Sequence, residues 1–180
     1  MYWLDEIKIR LKKKNQVLFA KNSEFLQDFV RLFQGQDHRV LTLWAFDFAA
    51  ESIAALQEKY PGEKRPEAAL EAARGWAAGT VRMPVAQRKI LDCHAFAKDI
   101  DEKADIAACH AIGQACSVVH TAGHAIGYPI YDLTSIVYRL GPDSCTQTVL
   151  ARKQSYTDRF FYWKEHLSSY QGEWAAFMLK

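Results

Sequence analysis

No Cys-x-x-Cys pair occurs in the 180 residues, so the four cysteines, Cys93, Cys109, Cys116 and Cys145, spell neither a dithiol redox motif nor a zinc knuckle. Cys109 and Cys116 would lie about 10 Å apart along one helix at the standard rise, too far for a disulfide. Such thiols suit reduced surroundings, where they behave as small buried hydrophobes. A Gly-rich phosphate loop, a Gly-x-Ser-x-Gly elbow and a His-Glu-x-x-His zinc motif are missing too, which removes the commonest nucleotide, acyl-transfer and metalloprotease chemistries. The first residues, MYWLDEIKIRLKKKN, have neither the uninterrupted apolar run nor the small-residue cleavage site of a secretory signal, so a cytoplasmic protein is expected. There is no convincing period-two run and no Asn-Gly turn, which argues against strands.

One stretch lacks charge altogether. From Ile106 to Tyr131 there is no Asp, Glu, Lys or Arg, and Ala107, Ala108, Ala111, Gly113, Ala115, Ala122, Gly123, Ala125 and Gly127 give it a thin surface. Small residues let neighbouring backbones approach, so this reads as a central helix buried on most of its circumference, kinked or broken near Pro129. A membrane span is the rival for an uncharged run of this length. His110, Gln114, Ser117, His120, Thr121 and His124 argue against it, because lipid satisfies none of them.

With 49% hydrophobic and 13% aromatic residues, the chain can bury a core. Its formal charge of +2 implies no nucleic-acid partner, but the bases are unevenly placed. Residues 1–36 read as a basic helical hairpin carrying Lys12, Lys13 and Lys14, an extension on a main body of residues 37–180. Its first helix spans about residues 2–14 and its second runs from Ser23 to Gly35. Asp37 caps a third helix to about Tyr60, with Trp44, Phe48, Ala55, Phe46, Ile53 and Leu56 on its apolar stripe. Pro66 and Gly79 bracket a fourth, with Ala69, Ala73, Trp76 and Ala77 inward. Pro84 opens a fifth that runs to about Ile100. After the central element, apolar spacing resumes to Gly141-Pro142, another helix runs from Cys145 to about Leu167, and Trp174, Phe177 and Met178 form a short docking helix. The expectation is an all-α bundle of about eight helices around the Ala/Gly-rich centre.

Two constellations could carry chemistry. Cys116, His120 and His124 fall at i, i+4 and i+8, close to one helical face, as metal ligands can. Asp47 and Glu51, four apart on the third helix, could join them as ligands, or could pair with arginines such as Arg39, Arg65 or Arg74. The preferred reading is core histidines and ion-paired acids, since no third ligand has the right spacing and Thr121 stands where a zinc protease needs Glu. Cys109 or Cys116 activated by a neighbouring histidine is a weaker option, because these thiols lie on the most apolar element.

Four pieces of the chain resemble the Imm-5-like family of bacterial immunity proteins. They are Trp44, Asp47, Ala50 and Glu51; the stretch RPEAALEAARGWAAG, with Arg65, Pro66, Arg74, Trp76 and Gly79; Ala111 through Gly113 to His120; and His124-Ala125 followed by Tyr131. The likeness covers roughly residues 38–140. It implies a protein that protects a bacterial cell by binding a toxin domain, with no catalysis of its own; beside it, the residues themselves lead us to expect no cofactor, metal, nucleic acid or membrane. A few aromatic or Arg anchors would supply most of the binding energy, and the candidates are Lys12, Lys13 and Lys14 on the hairpin and Tyr162, Trp163 and Trp174 in the tail. The rival is a metal-dependent helical hydrolase using His120 and His124 with Asp47 and Glu51.

Overall fold

The computed structural model describes residues 2–180, which form eight α-helices and, among the described residues, no strand. In chain order these are α1 (Trp3–Lys12), α2 (Gln27–Phe33), α3 (His38–Lys59), α4 (Arg65–Ala78), α5 (Met83–Phe96), α6 (Lys103–Ser117), α7 (Gly127–Leu140) and α8 (Thr146–His166). Short 3-10 turns precede α2 and α7 and close the tail at Ala176–Leu179. The all-α expectation holds.

Local rules set many of the boundaries. Asp37 accepts the Arg39 amide at 2.8 Å and so starts α3. Gly79, at φ 82°, ends α4 in the left-handed conformation that lets Thr80 N reach back to the Gly75 carbonyl. Helix α3 runs through the middle of the bundle, with Trp44 fully buried and its indole N–H donated to the Tyr156 carbonyl at 3.0 Å. Ala55 faces solvent rather than the core, so the stripe is narrower than the spacing suggested. α3 is also the element long and apolar enough to cross a membrane, and 67% of its apolar window is buried inside the molecule.

The uncharged stretch is not one helix. α6 stops at Ser117, whose hydroxyl turns back onto the Gly113 carbonyl at 2.8 Å, and Thr121 is fully extended. The run Ser117-Val118-Val119 combines a residue that competes for backbone hydrogen bonds with two stiff β-branched side chains, a poor sequence for continuing a helix. The His38 ring takes the Val118 carbonyl that the break leaves without a helical partner. Pro129 then sits in the first turn of α7, where its missing N–H is no loss, so it helps begin a helix rather than kinking one. The two halves pack against each other, burying Cys109, Ile112, Cys116, Tyr128, Leu133 and Val137.

Residues before α3 join the same core. Ile7, Leu18, Phe19, Leu26, Phe29 and Phe33 are buried in the cluster that contains Trp44 and Phe160. Leu18 N donates to Thr134 Oγ1 at 3.0 Å, and the Tyr138 hydroxyl donates to the Asn15 carbonyl at 2.8 Å, which fixes this segment along α7.

Candidate functional site

Asp47 and Glu51 lie one turn apart on α3, facing α8, and both are ion-paired. Their partners are Arg159 and Arg152, not Arg39, Arg65 or Arg74, because α8 is the helix that packs along this side. Asp47 Oδ2 receives Arg159 Nη1 at 2.6 Å and the Trp163 indole N–H at 2.7 Å. Glu51 receives Arg152 Nη1 at 2.5 Å, while Arg152 Nε reaches Asp132 at 2.7 Å and Nη2 reaches the Tyr128 hydroxyl at 2.9 Å. Tyr128 also donates to the Phe48 carbonyl at 3.1 Å, and since an arginine only donates, Ser52 must donate its own hydroxyl to Tyr128 at 2.7 Å. Tyr156 adds a short hydrogen bond to Asp132.

The electrostatics follow from this closure. Burial, with the Asp132 carboxylate beside them, pushes the Tyr128 and Tyr156 hydroxyls far above the ordinary phenol range. Burial opposes the charge on Arg152, yet the surrounding hydroxyls and Asp132 hold it firmly protonated. Its guanidinium also lies 4.7 Å from the Phe48 ring centre. Each polar group here is committed to another, which ties α3, α7 and α8 together and leaves no unengaged acid or base.

The structure does not bring His120 and His124 together with Asp47 and Glu51. His120 lies beyond the end of α6 with its ring against Trp76, centroids 6.0 Å apart. His124, in the 3-10 turn, contacts Gln114 through Nδ1 at 3.1 Å. The break at Ser117 destroys the i, i+4, i+8 register with Cys116, and Asp47 and Glu51 are turned to α8. Among the described residues, no group of three or more His, Cys, Asp or Glu side chains is arranged to hold a metal ion. The thiol hypothesis fares no better, because burial pushes both Cys109 and Cys116 up to about 12.

The other motif residues differ in their surroundings. Arg65 bridges Glu63 at 2.7 Å and Asp99 at 2.6 Å and lies over the Phe96 ring. Pro66 fills the first turn of α4 and Trp76 is buried, whereas Arg74 is exposed. Lys12, Lys13 and Lys14 are exposed at the end of α1.

The tail builds a continuous aromatic surface. Tyr162 packs on Trp163 at 5.1 Å, Trp163 on Tyr170 at 6.2 Å, and Tyr170 on Trp174 at 5.1 Å. Tyr162 is 47% exposed, Phe161 43% and Phe177 39%, while Trp163 and Trp174 are half-buried. Ala175 N donates to the Ala77 carbonyl at 2.8 Å and Phe177 contacts Trp76, so this tail is fastened to α4. The sequence reading named Tyr162, Trp163 and Trp174 as candidates but missed Tyr170, which links Trp163 to Trp174.

Also missed was a histidine pair. His94 on α5 and His110 on α6 meet Nδ1 to Nδ1 at 2.8 Å, with Tyr131 beside His110. Gly113 makes room for it, since a Cβ there would lie 2.3 Å from the His94 ring. Spacing along one helix cannot reveal a pair formed across two.

The chain is thus an all-helical bundle with an ion-paired network between α3, α7 and α8 and an aromatic outer face. The family model for Imm-5 like putative immunity protein matches residues 31–159, and the chain belongs to that family. The match begins within α2 and ends within α8, wider than the resemblance read from motifs. No curated protein and no solved structure gives a significant match to the chain.

Proposed function

We infer that this protein neutralises a bacterial toxin domain by non-catalytic binding, through the aromatic face of α8 and the tail. The observation that carries the reading is the run of touching rings from Tyr162 through Trp163 and Tyr170 to Trp174, partly open to solvent yet held in place from beneath. Tyrosine and tryptophan are the side chains that most often dominate binding energy, and a rigid aromatic anchor loses little conformational freedom on docking. The Asp47 carboxylate fixes Trp163, and the Ala175–Ala77 hydrogen bond fixes the backbone just beyond Trp174. Lys12, Lys13 and Lys14 are a poorer anchor, being long, flexible and screened by salt. Four buried free cysteines are compatible with work in the cytoplasm.

The test is co-expression with a toxin-like product of the neighbouring reading frame, read by growth rescue and co-purification. Tyr162→Ala and Tyr170→Ala should each weaken binding by roughly 30-fold or more while the helical circular dichroism stays unchanged. Reversing the charge of Lys12, Lys13 and Lys14 together should leave rescue intact. Rescue that survives both tyrosine substitutions would overturn this surface, and failure to bind any neighbouring product would overturn the inhibitor itself.

A further inference from the structure

A cavity of about 590 Å³ opens between the segment after α1 and helices α5, α6 and α7, away from the aromatic face. That is within the usual range for small-molecule sites. Its charge is lopsided. Lys14, Lys98 and Lys103 reach it, Asp101 is the single acid in its wall, and none of the three lysines has an ion-pair partner among the described residues. Tyr131 and Tyr138 line it too, with Lys103 Nζ 5.5 Å from the Tyr138 ring centre, and the His94–His110 pair forms part of the lining.

Lys14 reaches this cavity at a conformational cost. It is the one non-glycine residue with positive φ among the described residues, at 57°. Its position closes α1, with Lys14 N bonded to the Leu11 carbonyl and Asn15 N to that of Arg10, a place where glycine is ordinarily preferred. The Tyr138 hydroxyl, bonded to the Asn15 carbonyl, pins that turn to α7 and holds Lys14 beside the opening. A strained lysine where glycine would be easier is a reason to look for what it binds.

The histidine pair lies in the same wall. With Nδ1 facing Nδ1 at 2.8 Å, one ring donates and the other accepts, so the pair is most stable with at least one ring neutral. Burial, with His110 and His124 nearby, lowers His94 to about 4, and burial lowers His110 as well. The titratable and charged groups around the pair are Lys14, Lys98, Asp101, Lys103, His124, Tyr131 and Tyr138.

We propose that this cavity binds a nucleoside-monophosphate-type ligand, its dianionic phosphate among Lys14, Lys98 and Lys103 and its flat base against Tyr131 and Tyr138. A phosphate monoester carries nearly two negative charges at neutral pH, which three lysines and one aspartate balance. The proposal is independent of the toxin-binding face, which lies on other elements.

The full-length protein is titrated calorimetrically with adenosine, cytidine, guanosine and uridine 5′-monophosphates, with inorganic phosphate and the free nucleosides as controls. At least one monophosphate should bind with one-to-one stoichiometry, tenfold or more tighter than phosphate or its own nucleoside. The double variant Lys98→Glu/Lys103→Glu, on exposed positions, should keep the helical spectrum and lose at least tenfold in affinity. By NMR, the imidazole signals of His94 and His110 should move on titration while those of His120 and His166 stay fixed. Equal binding of phosphate and monophosphates, no binding by the native protein, undiminished binding by the double variant, or shifts confined to His120 and His166 would each overturn the proposal.

Discussion

Gly113 and Trp76 are two positions where side-chain size decides stability. A methyl group at Gly113 would meet the His94 ring at 2.3 Å, closer than non-bonded atoms tolerate. Gly113→Ala should therefore destabilise by about 1–3 kcal/mol despite the better helix propensity of alanine, and His94→Ala in the same chain should recover part of the loss. Denaturant midpoints of the two single variants and the double variant measure this. Trp76 is 6% exposed on the Ala face of α4, with His120 and Phe177 near its ring. Trp76→Ala should cost about 3–5 kcal/mol, a large share of the stability of an ordinary domain. An unchanged midpoint would place Trp76 at the surface instead.

Among the elements, the instructive one is the uncharged stretch. Its lack of charge correctly announced burial along α6, whereas His120, Thr121 and Gly123 beyond the break are exposed. Its continuity was not legible, because Ala and Gly favour close packing whether the backbone turns or runs straight, and the break depends on Ser117 bonding Gly113 and on His38 reaching across from α3. The same limit hid the His94–His110 pair and gave Asp47 and Glu51 the wrong arginines, since Arg152 and Arg159 follow more than a hundred residues later. Capping was easier to read: Asp37, Pro66 and Gly79 act locally, and each does what its chemistry dictates. Pro129 separates the two pictures by sign. In mid-helix its replacement by alanine would stabilise by up to about 3 kcal/mol. In the first turn of α7, where Pro129 is buried, Pro129→Ala should instead cost about 1–2 kcal/mol through lost ring packing. Thermal or urea unfolding decides between them.

At the scale of the whole molecule, stability should depend on pH through the half-buried histidines. His94, His110 and His124 all have lowered pKa values, His94 to about 4. Above the ordinary histidine value near 6.5 both folded and unfolded chains hold these rings neutral, and nothing is lost. Below it the unfolded chain takes protons that the folded chain refuses, so stability falls as pH drops from about 6.5 to about 4. His94→Gln should flatten that fall, as urea midpoints at a series of pH values would reveal. Asp37 and Glu63, whose carboxyls are held below the usual range by Arg39 and Arg65, weaken the fold in the same direction at lower pH still. The reach of α8 back to α3 also bears on synthesis. The indole of Trp44 finds its acceptor at Tyr156, and Asp47 and Glu51 find their cations at Arg159 and Arg152. A ribosome must therefore deliver nearly the entire chain before the middle of the bundle can close, and a nascent chain halted at Gly141 should be cut by protease at sites that the finished protein conceals.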